Sequence, residues 1–145
     1  VSMGGFDTHS DQAGRLPFLQ SGFDTAIGRF YDWLVANGLN DSVTTFTASD
    51  FGRTFQPNAT GTDHGWGGHH FVLGGGVQGG RIFGDLVLPV EGHPLDYGRG
   101  RLIPSLSVDQ YGAEMAKWFG VSEASLPTVF PNYPNFDPFA LPLFA

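Results

Sequence analysis

Apolar residues recur every three or four positions between residues 13 and 37. Leu19, Phe23, Ile27, Phe30 and Leu34 fall on one side of the helix this spacing predicts. Pro17 is tolerable only in its first turn, and Gly38 suits a left-handed C-terminal cap. Gly22 and Gly28 each cost up to about 1 kcal/mol against alanine and permit close approach to a sheet. The period then changes. Asn40-Asp41-Ser42 reads as a turn, and Val43 to Ala48, rich in β-branched residues, as a strand. Val1 to Met3 reads as the end of an earlier strand broken by Gly4-Gly5. Strand, helix and strand in this order predict a right-handed βαβ unit, hence an α/β fold with its ligand crevice at the carboxyl ends of the strands.

Beyond Asp50 a Gly-, Asn- and Pro-rich loop leads to a strand at His70 to Leu73. The glycines from Gly74 to Gly80 predict a turn, with Arg81 to Phe83 pairing back as a β-hairpin. Residues 85 to 104, with Pro89, Pro94 and Pro104, read as irregular. A helix is expected from Ser107, where Ser107-Val-Asp-Gln110 resembles a capping box. It carries Tyr111, Met115 and Trp118 and stops at Gly120. In the tail, prolines 127, 131, 134, 138 and 142 are interspersed with phenylalanines, which predicts an ordered apolar strap.

Composition narrows the function. Only 7 Lys+Arg and a formal charge of −7 exclude the basic surface that nucleic acids and anionic membranes require. No run of about 18 apolar residues could span a bilayer. With no cysteine, disulfides, thiolate metal sites and cysteine nucleophiles are excluded. The 145 residues open on Val-Ser-Met-Gly-Gly, which reads as the C-terminal part of a longer protein whose N-terminal part would be a partner in the same fold.

The candidate chemistry is carboxylate and imidazole. Asp7 and His9 lie two apart, so in extended chain they point the same way. Asp50 ends the second strand, where it either ligates a metal or caps a turn and pairs with Arg53. Asp63-His64, flanked by glycines, suits zinc, manganese or iron, with a polar surface loop as the alternative. His69 and His70 alternate across a strand, so one of them at most faces a site; His93 reads as a surface residue. Arg53 either holds an anion in a bidentate fork or pairs with Asp50 or Asp63. The glycine-rich turn lacks GxxxxGK[ST], and no Gly-x-Ser-x-Gly elbow occurs, so neither a phosphate loop nor a serine hydrolase is supported.

In combination, GGFDTH, FTASDFGRT, TDHGWGGHHFVLGGGVQGG, MAKWFGV and FPNYPNF resemble the bacterial domain-of-unknown-function family numbered 1501. That group is sulfatase- and alkaline-phosphatase-like, and is exported by the twin-arginine route. The resemblance implies an alkaline-phosphatase-like three-layer α/β sandwich, with residues 1–145 the C-terminal portion of one larger domain. It also implies a periplasmic or secreted location. One metal would be held by Asp7, His9 and His64, and a second by Asp50. The expected partner histidine of Asp50 is Phe51, which cannot ligate, so the second site is altered, supplied by Asp63 or His70, or absent. The expected cofactor is a divalent metal, zinc first, with manganese, calcium or iron as alternatives. The expected activity is hydrolysis of a small anionic ester, a phosphate or sulfate, with Arg53 orienting the anion and the nucleophile outside this chain. The alternative is an exported structural or interaction protein that keeps the fold without catalysis.

Overall fold

A computed structural model describes residues 1–86 and 92–144, which form two compact units. The first comprises Val1–Gly75 with Val87–Ile103, and the second Gly76–Leu86 with Pro104–Ala145. Pro89, expected in an irregular stretch, lies outside the described residues. No helix among the described residues is long and apolar enough to cross a membrane.

The first unit is built on helix α1, Gln12–Ala36. Its less exposed stripe is Leu16, Leu19, Phe23, Ile27, Tyr31 and the buried Leu34. Phe30, expected on that face, is instead exposed and stacks against Trp33 with ring centroids 6.4 Å apart. Pro17 sits beyond the first turn, so the backbone hydrogen bond that it has no N–H to donate is lost inside the helix. Past Asn37 the helix closes in a Schellman arrangement. Gly38 adopts φ 66°, Leu39 N–H donates to Leu34 O at 2.9 Å, and Gly38 N–H donates to Val35 O at 3.1 Å.

Two antiparallel pairs complete this unit, giving a mixed α/β architecture with small sheets. Strand β1, Thr45–Phe46, pairs with β4, Val72–Leu73. Strand β2, Gly52–Asn58, pairs with β3, Gly61–Gly65, placing Arg53 opposite His64. These pairings correct three expectations. No strand forms at Val1 to Met3, so the βαβ unit is not closed by a parallel pair among the described residues. The stretch after Asp50, expected as a loop, is the β2–β3 hairpin. Its tight turn is made by Ala59, which takes the left-handed conformation at φ 60° that glycine or asparagine usually supplies. The partner of β4 is β1, and Arg81 to Phe83 is not a strand.

In the second unit, helix α2 spans Val108–Trp118 and begins as its sequence predicts. Gln110 N–H donates to Ser107 Oγ at 3.0 Å, and Ser107 N–H donates to Gln110 Oε1 at 2.9 Å. This is a complete capping box. Ser107→Ala should therefore lower stability by about 1 kcal/mol, read as a shift in the denaturant midpoint at unchanged slope. Val121 N–H closes the helix on Ala116 O at 2.9 Å, with Gly120 at φ 101°. The Pro-rich tail is ordered, with a short helix α3 at Leu126–Val129 and single 3₁₀ turns at Glu123–Ser125 and Tyr133–Asn135. Leu126, Leu141 and Leu143 are buried, and Phe144 bridges to Val77.

Candidate metal centre

Hydrogen bonds to the β2–β3 hairpin hold the segment that leads into α1. Thr62 N–H donates to Thr8 O at 3.4 Å, and Gln12 N–H donates to Thr60 O at 2.9 Å. Asp11 N–H donates to Thr60 Oγ1 at 3.0 Å. Arg53 then reaches over from β2, donating to Phe6 O at 2.6 Å and to Thr62 O at 2.7 Å. Thr8 is fully buried in this docking, while Asp7 and His9 are exposed on the other side. Thr8 N–H donates back to Phe6 O at 2.9 Å, a tight turn around Asp7, and both potential ligands stand on the exposed side.

His64 reaches the same point from β3. Its Nε2 lies 2.8 Å from Asp7 Oδ1. His9 Nε2 lies 3.0 Å from that oxygen and 3.2 Å from His64 Nε2. Three ligand atoms therefore form a triangle with sides near 3 Å. A tetrahedral zinc ion with ligands at about 2.0 to 2.1 Å holds neighbouring donors roughly 3.3 Å apart, so the triangle matches one face of such a site. Two neutral imidazoles and one carboxylate are also a donor set that zinc accepts. The residues fit a divalent cation. They would hold it on an open face, since their side chains are 46–59 % exposed.

Asp7 is the hub. Its Oδ1 also accepts from Arg53 Nη2 at 3.1 Å. The His64 hydrogen bond is the largest influence on Asp7, and with the charges of His9 and His64 it outweighs desolvation. The carboxyl pKa is held below its ordinary 3.8. The interaction is fully present above that value and is lost as the pH falls through the lower native one. Phe51 stacks on the His64 ring at 4.0 Å and 4° from parallel, which fixes the ring plane. The residue that cannot ligate orients one that can.

Of the residues singled out from the sequence, Asp7, His9 and His64 come together, the one such group among the described residues. Asp63 stands one layer back, with Oδ1 3.6 Å from His9 Nδ1. Asp50 is exposed and contributes no atom to the group. His70 faces Thr47, with Nδ1 3.3 Å from its Oγ1, and also stays outside. Desolvation, then the nearby His69, lowers the His70 pKa from its ordinary 6.5. Arg53 has both terminal nitrogens on Phe6, Thr62 and Asp7, and its side chain is only 19 % exposed. Its pairing is with Asp7 and not with Asp50 or Asp63.

Two contributors escaped sequence reasoning. Asn58 donates from Nδ2 to Asp63 Oδ1 at 2.5 Å, and Arg99 Nη2 lies 3.0 Å from Asp63 Oδ2. Asn58 carried a signal, since it precedes Ala59-Thr60-Gly61 at the tip of what proves to be a hairpin. Arg99 carried none, because its approach depends on a distant loop.

The family described as "Protein of unknown function (DUF1501)" matches residues 1–89, which include Asp7, His9, Asp63 and His64. The chain belongs to this family. The family match thus spans every ligand atom of the centre and the hairpin that brings them together. No match to the chain was found among curated proteins or solved structures.

Proposed function

We propose that this chain carries the metal centre of a hydrolase acting on phosphate or sulfate esters, within an alkaline-phosphatase-like sandwich that functions outside the cytoplasm. The observation that carries the reading is the convergence of Asp7 Oδ1, His9 Nε2 and His64 Nε2 on one exposed point. Three protein ligands with an open face are the pattern of catalytic zinc sites, whereas structural sites are closed by four. A divalent ion bound there would polarise the ester oxygen and stabilise charge on the leaving oxygen. Arg53 supports the centre by anchoring Phe6, Thr62 and Asp7. To orient an anionic substrate it would have to exchange one of these partners. The nucleophile would come from a segment N-terminal to these residues.

The position of Asp50 bears on the number of ions. Because neither Asp50 nor His70 joins the group, and Phe51 is spent on His64, the reading is of one ion per chain. Elemental mass spectrometry on protein purified without chelator should find about one transition-metal ion per chain. A folded sample that holds none, and takes up neither zinc nor manganese, would refute the centre. It would favour the non-catalytic alternative, an exported interaction protein. The exposed, stacked Phe30–Trp33 pair on α1 is the feature that supports that second reading.

A further inference from the structure

His9 is addressed at both ring nitrogens. Nε2 faces Asp7 and His64, while Nδ1 faces Asp63 Oδ1 at 3.6 Å and Asn58 Nδ2 at 3.5 Å. An imidazole can bind a cation through Nε2 only when the ring proton sits on Nδ1. That proton then needs an acceptor. Asp63 Oδ1 is the carboxylate oxygen positioned to be one.

We infer that Asp63 is the positioning residue for His9 and not a ligand: its Oδ1 accepts the Nδ1 proton, leaving Nε2 free to bind a divalent cation beside Asp7 and His64. This rests on the metal-centre reading above. Two donors hold the carboxylate for the task, Arg99 on Oδ2 at 3.0 Å and Asn58 on Oδ1 at 2.5 Å. The amide of Asn58 can face Asp63 only with its NH₂ group, since its oxygen would confront another oxygen. It keeps that orientation although its own Oδ1 is left buried without a partner.

Before a cation binds, the ring suits the other tautomer. Nε2–H donates to Asp7, and the lone pair of Nδ1 accepts from Asn58. On binding, the Nε2 proton leaves to solvent and Nδ1 takes one from solvent, so the ring carries the same net charge before and after. The contact to Asp63 then has to shorten by roughly 0.8 Å to reach the length of a charge-assisted hydrogen bond. Asp63 is therefore idle in the empty centre and engaged in the filled one.

The test is a zinc titration of the wild-type chain and of Asp63→Asn against a chelating dye, with histidine ¹⁵N spectra of both loaded proteins. The dissociation constant of Asp63→Asn should rise roughly 10- to 100-fold at unchanged stoichiometry. The His9 signature, a protonated Nδ1 with a metal-bound Nε2, should broaden or become mixed. Asp63→Glu, which restores a carboxylate, should recover part of the affinity. Asn58→Ala leaves the carboxylate in place and should raise the constant less, which keeps the inference testable if Asp63→Asn folds poorly. Equal affinity in wild type and Asp63→Asn overturns this inference and leaves the metal centre standing. Loss of the whole site in folded Asp63→Asn would make Asp63 a ligand and also overturn it. A wild-type chain that takes up no zinc overturns the centre and this inference together.

Discussion

Replacing Gly61 by alanine should weaken metal binding at least roughly 100-fold although it alters no ligand. A Cβ at Gly61 would overlap the backbone of Thr8 and His9, where the segment before α1 lies against the start of β3. Neither side can yield cheaply. Thr8 is fully buried and its carbonyl accepts from Thr62, while the next residues are tied to Thr60. The segment must therefore lift away, carrying Asp7 and His9 from His64. Forcing an extra methyl into close-packed backbone costs about 1–3 kcal/mol, so the protein should remain folded. The expected result is a folded Gly61→Ala protein, by circular dichroism, that binds zinc at least roughly 100-fold more weakly, beyond what loss of an orienting residue gives. Wild-type affinity in that variant would show that the close approach of the two segments is not needed for the site.

Asp7→Ala is the second large effect. It removes a ligand and also the one anion that His9, His64 and Arg53 share. What remains is two imidazoles and a guanidinium around a common point, an arrangement that disfavours any cation. Zinc should be lost entirely at micromolar concentrations in the titration above. Asp7→Asn keeps the shape and removes the charge. Should Asp7→Asn retain full zinc affinity, the carboxylate would not be a ligand and the centre as drawn would be wrong.

The two variants also separate what was legible in the chain from what was not. Asp7 could be singled out as a candidate, because Asp-x-His in extended chain points two potential ligands the same way. Gly61 could not. Its importance lies in a contact with Thr8 and His9, far away in the chain, and nothing local marks it among so many glycines. The same holds for Phe51. Its sequence position suggests only a lost ligand, while the structure gives it a face of His64 to lie against.

Local rules explain where sequence reading succeeded. Helix α1 and its Gly38 terminus follow from apolar period and the left-handed tolerance of glycine, and α2 from the reciprocal bonds of Ser107 and Gln110. Each is settled within a few residues. Strand pairing is not, since a short β-branched run pairs equally well with several partners and in either direction. The order of strand, helix and strand therefore suggested a parallel unit, where β1 in fact pairs antiparallel with β4.

By itself, then, the sequence determined the chemistry available: a cysteine-free, acidic chain with carboxylates and imidazoles near glycines, and an Asp7–His9 pair two residues apart. The tertiary structure alone decided which of these meet. The pairing of β2 with β3 set His64 opposite Arg53, and docking of Thr8 on Thr62 brought Asp7 and His9 to it. The same pairings left Asp50 and His70 aside and set Asp63 behind His9. The reason is physical. Ligand identity belongs to side-chain chemistry, but convergence depends on backbone hydrogen bonds between residues far apart in sequence, whose closure only the whole fold stabilises.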